Sequence, residues 1–245
     1  MQLTVIGSSG TYPAPGRPSA GFLIEQNNTR VWCDAGPGTF VGLPVEADMI
    51  DAIVVSHQHV DHCLDLLTAF HAYRFRPQPR LGVPVYCPQA VIDKVCAWPD
   101  DPAHLQETLA FYPVDDGDHI EIGDLSLTFA MADHSVPTVA SRWEADNRAL
   151  AYSADTGPEG KWMRVADNAD LFLCEASYQG PPGVAEYPQH LTAGQAGAIA
   201  RQVGAKHLML THIPPYLDVT RSVAEAEATF DRPVELAVPG VRRKV

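Results

Sequence analysis

Residues 52–62 read AIVVSHQHVDH, a short β-branched apolar run followed by three histidines and an aspartate in six positions. Nothing else in the chain limits its folding choices as much. AIVV predicts a buried strand. In extended backbone, residues i and i+2 point to the same side, so His57 and His59 present two imidazoles together. Asp61 and His62 follow as the chain turns into a helix, and they point elsewhere, towards a second metal. Asp61 also has a helix-capping reading. The alternative for the whole run is a solvated polar loop, and one loop does not supply enough ligands for a metal centre.

If the metal reading holds, further ligands belong at other strand ends. LTFAMADH ends in His134, ALAYSAD in Asp155 and HLMLTH in His212, each an apolar run that delivers one ligand-competent side chain at its C-terminal end. His57, His59 and His134 are assigned to one ion, and Asp61, His62 and His212 to the other, with Asp155 bridging. Imidazole and carboxylate suit Zn2+, with Mn2+ or Fe as alternatives, so two divalent ions are the expected cofactors. Ions roughly 3.5–4 Å apart share a water and lower its pKa to about 7. The centre keeps a positive charge even with hydroxide bound, so it attracts an anionic ester oxygen. His71, His104, His119 and His207 lack this setting and read as structural or solvated.

Around these ends the sequence alternates strands and helices. Strands are expected at residues 3–6, 21–25 and 30–33, and a helix begins near Asp61 with Leu64, Leu67 and Phe70 on its apolar face. Two strands meet at a Gly123-Asp124 turn and a hairpin turns at Asp146-Asn147. A helix runs to Gly204, another covers residues 222–230, and a last strand covers 234–238. No linker divides the 245 residues, so one domain over 1–245 is expected, with two mixed sheets face to face and helices outside.

The formal net charge of −13 disfavours a large nucleic-acid partner. Arg74, Arg76 and Arg80, and the tail Arg242-Arg243-Lys244, read as solvated surface. Five cysteines without a CxxC pair read as reduced thiols of a cytosolic protein. MQLTVIG opens as a strand rather than a secretory signal, and no apolar run is long enough to span a membrane.

SHQHVDH, with His134, Asp155 and His212, resembles the metal motifs of the metallo-β-lactamase superfamily, which implies a four-layer αββα sandwich of α+β class. Asp34 in WCDAGPG matches the Asp-x-Gly that supports the motif loops there without binding metal; the other reading is a plain turn aspartate. YSADTGP, LFLCEASY, HLTAGQAGAIA and LMLTHIPPY are similar to successive motifs of the ribonuclease-Z-like branch. That likeness implies that the reaction is carried by Asp61, His190 and Glu175. His190 would donate a proton to the leaving oxygen and Glu175 would orient it. The other reading of His190 is that it precedes a helix capped by Thr192. His59 stands where oxygen reductases of this fold carry Glu, which argues for hydrolysis.

Ribonuclease Z carries a tRNA-gripping arm between the positions of His134 and Asp155. Here 21 positions separate the two, enough for one hairpin. THIPPY also lacks the Arg that follows the last ligand in many tRNA-processing members. HCLDL, LAYSADTG and EAEATFDRPVELAV resemble bacterial cyclic-nucleotide phosphodiesterases of this fold. The resemblance implies a small anionic substrate such as a 3′,5′-cyclic nucleotide, attack on phosphorus by metal-activated hydroxide, and a homodimer. Ribonuclease Z, a lactone or thioester hydrolase on the same site, and a non-catalytic metal-stabilised scaffold are the other readings.

Overall fold

The computed structural model describes residues 1–184 and 186–245. Six strands build the first sheet in chain order: β1 (Gln2–Gly7), β2 (Gly21–Gln26), β3 (Thr29–Cys33), β4 (Ala52–Val54), β5 (Val83–Cys87) and β6 (Leu109–Pro113). The second sheet holds β7 (His119–Ile122), β8 (Leu125–Met131), β9 (Val139–Ala145), β10 (Arg148–Tyr152), β11 (Leu171–Glu175), β12 (Leu208–Thr211) and β13 (Val234–Leu236), also in that order. A last strand, β14 (Arg242–Lys244), crosses back to pair antiparallel with β1.

Both sheets start antiparallel and become parallel. In the first, β3, β4, β5 and β6 run parallel; in the second, β10 to β13 do. Parallel strands need crossovers, and these supply the outer layers. The helices α1 (Val60–Cys63), α2 (Asp65–Arg74), α3 (Gln89–Cys96) and α4 (Pro102–Thr108) flank the first sheet. The second is flanked by α5 (Ala193–Gln202) and α6 (Val219–Phe230).

Three apolar clusters fill the three interfaces of this αββα sandwich. Leu3, Phe22, Ile24, Leu127, Phe129, Trp143 and Met209 lie between the sheets. Trp32, Ile53, Leu66, Phe70, Tyr73 and Val91 pack the first sheet against α2 and α3. Trp162, Phe172, Ile199, Leu210 and Phe230 do the same for the second. Because both faces of each sheet are covered, the central strands are apolar on both sides, which is why AIVV reads as a run rather than an alternation. Among the described residues no helix is long and apolar enough to cross a membrane.

Several sequence expectations need correction. The helix after the histidine run breaks at Leu64 into α1 and α2, and its buried face is Leu66, Ala69, Phe70 and Tyr73, not Leu64 and Leu67. The break rotates the apolar stripe, which a single-helix spacing does not anticipate. The basic tail is strand β14. α4 and β6 have no counterpart in the expectations: Asp101 caps α4 ahead of Pro102, and β6 alternates too weakly at a sheet edge to stand out. α6 starts at Val219 because Asp218 caps it.

Asp170 holds the lower ends of three strands whose upper ends carry polar side chains. Its carboxylate accepts from the Ala149 amide (2.9 Å), Arg148 (2.7 Å) and Lys206 (2.8 Å), so β10, β11 and β12 are tied at one point. Burial alone would raise its pKa, but the Lys206 contact, the Ala149 amide and Arg148 override it and hold the carboxyl down to about 2. A depressed carboxyl stabilises the fold above its unfolded pKa and loses that contribution as the pH falls through the folded value. Arg148 and Lys206 are solvent-exposed, so each ion pair is screened. Asp170→Asn is expected to lower unfolding free energy by about 1–2 kcal/mol at neutral pH. Urea titrations of both proteins should show the deficit shrinking below pH 3.8 towards about 2; a constant deficit across that window contradicts the assignment.

Candidate metal centre

The parallel strands of both sheets end at one edge of the sandwich, and the polar side chains gather there. β4 leads into Ser56, His57 and His59; α1 carries Asp61 and His62; β8 precedes His134; β10 precedes Asp155; β12 precedes His212. The structure brings all of these together. His57, His59, His134 and Asp155 form one group and Asp61, His62 and His212 another, each with ligand atoms within 4.8 Å of one another. Asp61 does not cap α1: the cap position is His59, and the Asp61 Oδ2 lies 3.2 Å from His212 Nε2.

The first group has too many converging nitrogens for hydrogen bonding alone. His59 Nδ1 lies 3.1 Å from His57 Nε2 and 3.1 Å from His134 Nε2. One proton can bridge only one of these pairs, whereas a cation satisfies all three lone pairs. Burial, reinforced by neighbouring imidazoles, depresses the pKa of His57, His59 and His134, so these rings are neutral and competent as ligands.

Asp155 sits between the groups. Its Oδ2 is 3.7 Å from His57 Nε2 and 3.3 Å from His212 Nε2, and its Oδ1 is 3.2 Å from His62 Nε2. His62 Nε2 and Asp155 Oδ1 are both buried and without a hydrogen-bond partner, since the pair lacks the necessary alignment. Buried polar atoms are nearly always satisfied. Two orphans facing each other at this point fit a cation. Burial opposes charge on His62, yet Asp155, Asp34 and Asp61 raise its pKa well above normal, so the local field favours a positive species. Asp61 is likewise opposed by burial but held down to about 2 by His62 and His212. The donor set and the field therefore fit a group of divalent cations.

The outward ring nitrogens are fixed. His62 Nδ1 donates to Asp34 Oδ2 at 2.8 Å, which leaves Nε2 turned inward. His57 Nδ1 lies 3.0 Å from Ser56 Oγ, and His134 Nδ1 3.2 Å from the Gln189 carbonyl. His212 Nδ1 lies 2.9 Å from Ser177 Oγ. Such partners set ring orientation and ligand basicity.

Asp34 is fully buried and is not a simple turn residue. Its carboxylate accepts from the Ser56 amide (2.7 Å), Ser56 Oγ (3.0 Å) and Tyr152 OH (2.8 Å) as well as His62. Gly36, two residues on, lets this loop press on α1: a Cβ there would sit 2.0 Å from the Asp61 carbonyl oxygen.

Glu175, at the end of β11, is the counterpart in the second sheet. It accepts from the Thr156 amide (2.7 Å), Ser177 Oγ (2.6 Å) and the Leu191 amide (3.2 Å), and from His190 Nδ1 at 2.9 Å. His190 is stacked on His212, with rings 7° from parallel and 5.7 Å apart, and meets His134 edge-on. Burial would lower the pKa of His190, but Glu175, with Asp155 and Asp61 behind it, raises it to about 9. Glu175 is fully buried and does not line the cavity above the cluster.

A cavity of about 540 Å3 opens over the cluster, lined by His59, Asp61, His134, Asp155, His190 and His212 together with Lys94 and Tyr187. His71, His104, His119 and His207 are exposed elsewhere. Ser56, Tyr152 and Ser177 sit inside the motifs SHQHVDH, YSADTGP and LFLCEASY, but no single position there announced its role, and Lys94 has no such motif around it.

The profile described as a beta-lactamase superfamily domain matches residues 29–213. An uncharacterized protein of Mycobacterium tuberculosis is 31% identical, over 97% of this chain and 90% of that one. YhfI of Bacillus subtilis, a probable metallo-hydrolase, is 27% identical over 98% of both chains. Its crystal structure, described as a metallo-beta-lactamase fold protein, matches with a TM-score of 0.89 at 24% identity over 99% of both. A protein named ribonuclease Z from Kineococcus radiotolerans is 29% identical, over 93% of this chain and 88% of that one.

Asp34→Asn keeps the left-handed backbone that Asp34 adopts (φ 59°), which Asn tolerates. It puts an amide where donors from Ser56, Tyr152 and His62 converge. Zn2+ affinity, read by competition with a chromophoric chelator, should fall roughly 10–100-fold. An unchanged affinity would mean that Asp34 does not set the His62 ring.

Proposed function

Since the chain belongs to the beta-lactamase superfamily, we propose that the cluster is the active site of a metal-dependent hydrolase whose substrate is a small phosphodiester such as a 3′,5′-cyclic nucleotide. One divalent ion is assigned to His57, His59 and His134 and a second to Asp61, His62 and His212, with Asp155 between them. Zn2+ suits this donor set best. When bound, such ions supply an activated water near neutral pH and neutralise charge on a phosphoryl oxygen.

The observation that carries the reading is the His190–Glu175 pair at the cavity wall. Glu175 fixes Nδ1–H, which leaves Nε2 as the ring atom available to a ligand. A histidine held this way can place a proton on a departing alkoxide. Cleavage of a phosphodiester expels such an oxygen from an anionic transition state, and this is where a poised proton helps most. Nearby cations would draw the His190 pKa down from about 9, nearer the range useful for proton transfer.

The substrate's size is supported by the short connection between His134 and Asp155. β9 and β10 join through Asp146 and Asn147, both left-handed, in a two-residue hairpin turn. No arm extends from this segment. A tRNA substrate is supported by the relatives named ribonuclease Z, so it belongs in the same assay.

The test is a panel of cAMP, cGMP, bis(p-nitrophenyl) phosphate, pre-tRNA, a lactone and a thioester, with metal content measured on the same protein. Hydrolysis of at least one small phosphodiester, abolished by a chelator and restored by Zn2+ or Mn2+, is expected. His190→Ala should lower kcat on that substrate about 10²–10⁴-fold with metal content retained. Turnover of only the lactone or thioester, with His190→Ala still active, would replace this reading with a carboxyl-ester hydrolase.

A further inference from the structure

Among the described residues that line the active-site cavity, Lys94 is the one lysine or arginine. It belongs to the last turn of α3, on the side of the molecule built from the first sheet, whereas His134, Asp155, His190 and His212 come from the second. It is only half-exposed. Several basic residues elsewhere have carboxylate partners, as Lys206 has Asp170, Arg74 has Glu107 and Arg243 has Glu235, while the others without one, Lys161 and Arg201 among them, do not line this cavity. Lys94 has no such ion pair among the described residues. The adjacent Asp93 is instead engaged by Gln89 at 2.8 Å. Lys94 is also close to the histidine loop. Burial pushes the Cys63 thiol up to about 12, and the charges of His62 and Lys94 pull against that rise.

A partly desolvated ammonium without a carboxylate is an open anion site. The cavity's own anions, Asp61 and Asp155, are already committed to the imidazoles around them. We propose that Lys94 is the residue that recognises the negative charge of the substrate, and so sets a preference for anionic phosphodiesters over neutral carboxylic esters. This rests on reading the site as hydrolytic, and it says which ester the cavity selects. Lys94 needs to touch only a non-bridging phosphate oxygen, as a point charge with three donors. The structural alternative is a lysine that merely complements the C-terminal end of α3.

The test compares wild type with Lys94→Gln and Lys94→Arg, each checked for metal content. On bis(p-nitrophenyl) phosphate, Lys94→Gln should raise KM about 10–100-fold with a smaller change in kcat. On neutral p-nitrophenyl acetate the loss should be less, so the diester-to-ester ratio of kcat/KM drops at least about tenfold. Lys94→Arg should recover much of the ratio, and added salt should raise the wild-type KM more than that of Lys94→Gln. Calorimetry with inorganic phosphate on the metal-loaded proteins should show a matching loss of affinity. Equal losses on both esters, or an unchanged diester KM and phosphate affinity, overturn the proposal. If the wild type cleaves no diester, the phosphodiesterase reading fails on that result alone, and the phosphate affinities still decide the role of Lys94.

Discussion

The geometry of the centre depends on one buried carboxylate, Asp34, which lies outside the two groups of converging ligand atoms. Asp34 follows β3, yet its oxygens collect two donors from the loop after β4 (the Ser56 amide and hydroxyl), one from α1 (His62) and one from the end of β10 in the opposite sheet (Tyr152). It therefore joins the two sheets at the edge where the histidines gather. In a low-dielectric interior an ionised carboxylate is tolerable only when its lone pairs are filled. The same four hydrogen bonds that make Asp34 tolerable fix the ring of His62 and the backbone of the histidine loop. Stability and site geometry are here one interaction seen from two ends.

Glu175 repeats the device in the second sheet. It is reached by the loop after Asp155 through Thr156, by the loop before α5 through Leu191 and His190, and by His212 through Ser177. Three loop segments at the histidine cluster thus converge on one acceptor at the end of β11. The arrangement explains how side chains from distant sequence positions are held at a common centre without a disulfide: all five cysteines are free. It also explains why the sheet edge opposite the centre needs its own anchor, Asp170, to keep β10, β11 and β12 in register.

Much of this was legible in the chain because polar residues at strand ends combine two signals. An apolar run gives the strand, and one polar residue after it gives the direction, as for His134, Asp155 and His212. What was not legible depends on tertiary contact. Tyr152 looks like one more apolar strand residue until its hydroxyl meets Asp34 across the sheets. Lys94 is indistinguishable from any lysine on an amphipathic helix until α3 is placed beside the histidine loop. Arg242, Arg243 and Lys244 look like a solvated tail because no propensity announces a strand whose pairing partner, β1, lies at the other end of the sequence. The break between α1 and α2 arises because the Asp65 amide bonds back to Ala35 (2.8 Å), a contact with the Asp34 loop that no helical spacing encodes.

The backbone at the centre is held in conformations that residues with side chains seldom adopt. Asp34, Ala154 and His212 all have left-handed φ, at 59°, 52° and 54°. Each such residue costs on the order of 1–2 kcal/mol against the right-handed basin. All three sit just past the end of a strand, where the chain must turn sharply to aim a side chain across the sheet edge instead of along it. Most other non-glycine residues with left-handed φ are Asn or Asp in turns, as at Asn27, Asp146 and Asn147, whereas these three border the histidine cluster, where the surrounding β-ladders and buried carboxylates hold them in place. Charge follows the same local logic. The chain carries a formal −13, but in physiological salt that field decays over about 8 Å. A polyanion that spreads across the surface meets the repulsion in full. A small diester inside the cavity meets mainly the groups that line it. Net charge therefore argues against a long nucleic acid and is nearly silent about a small anion.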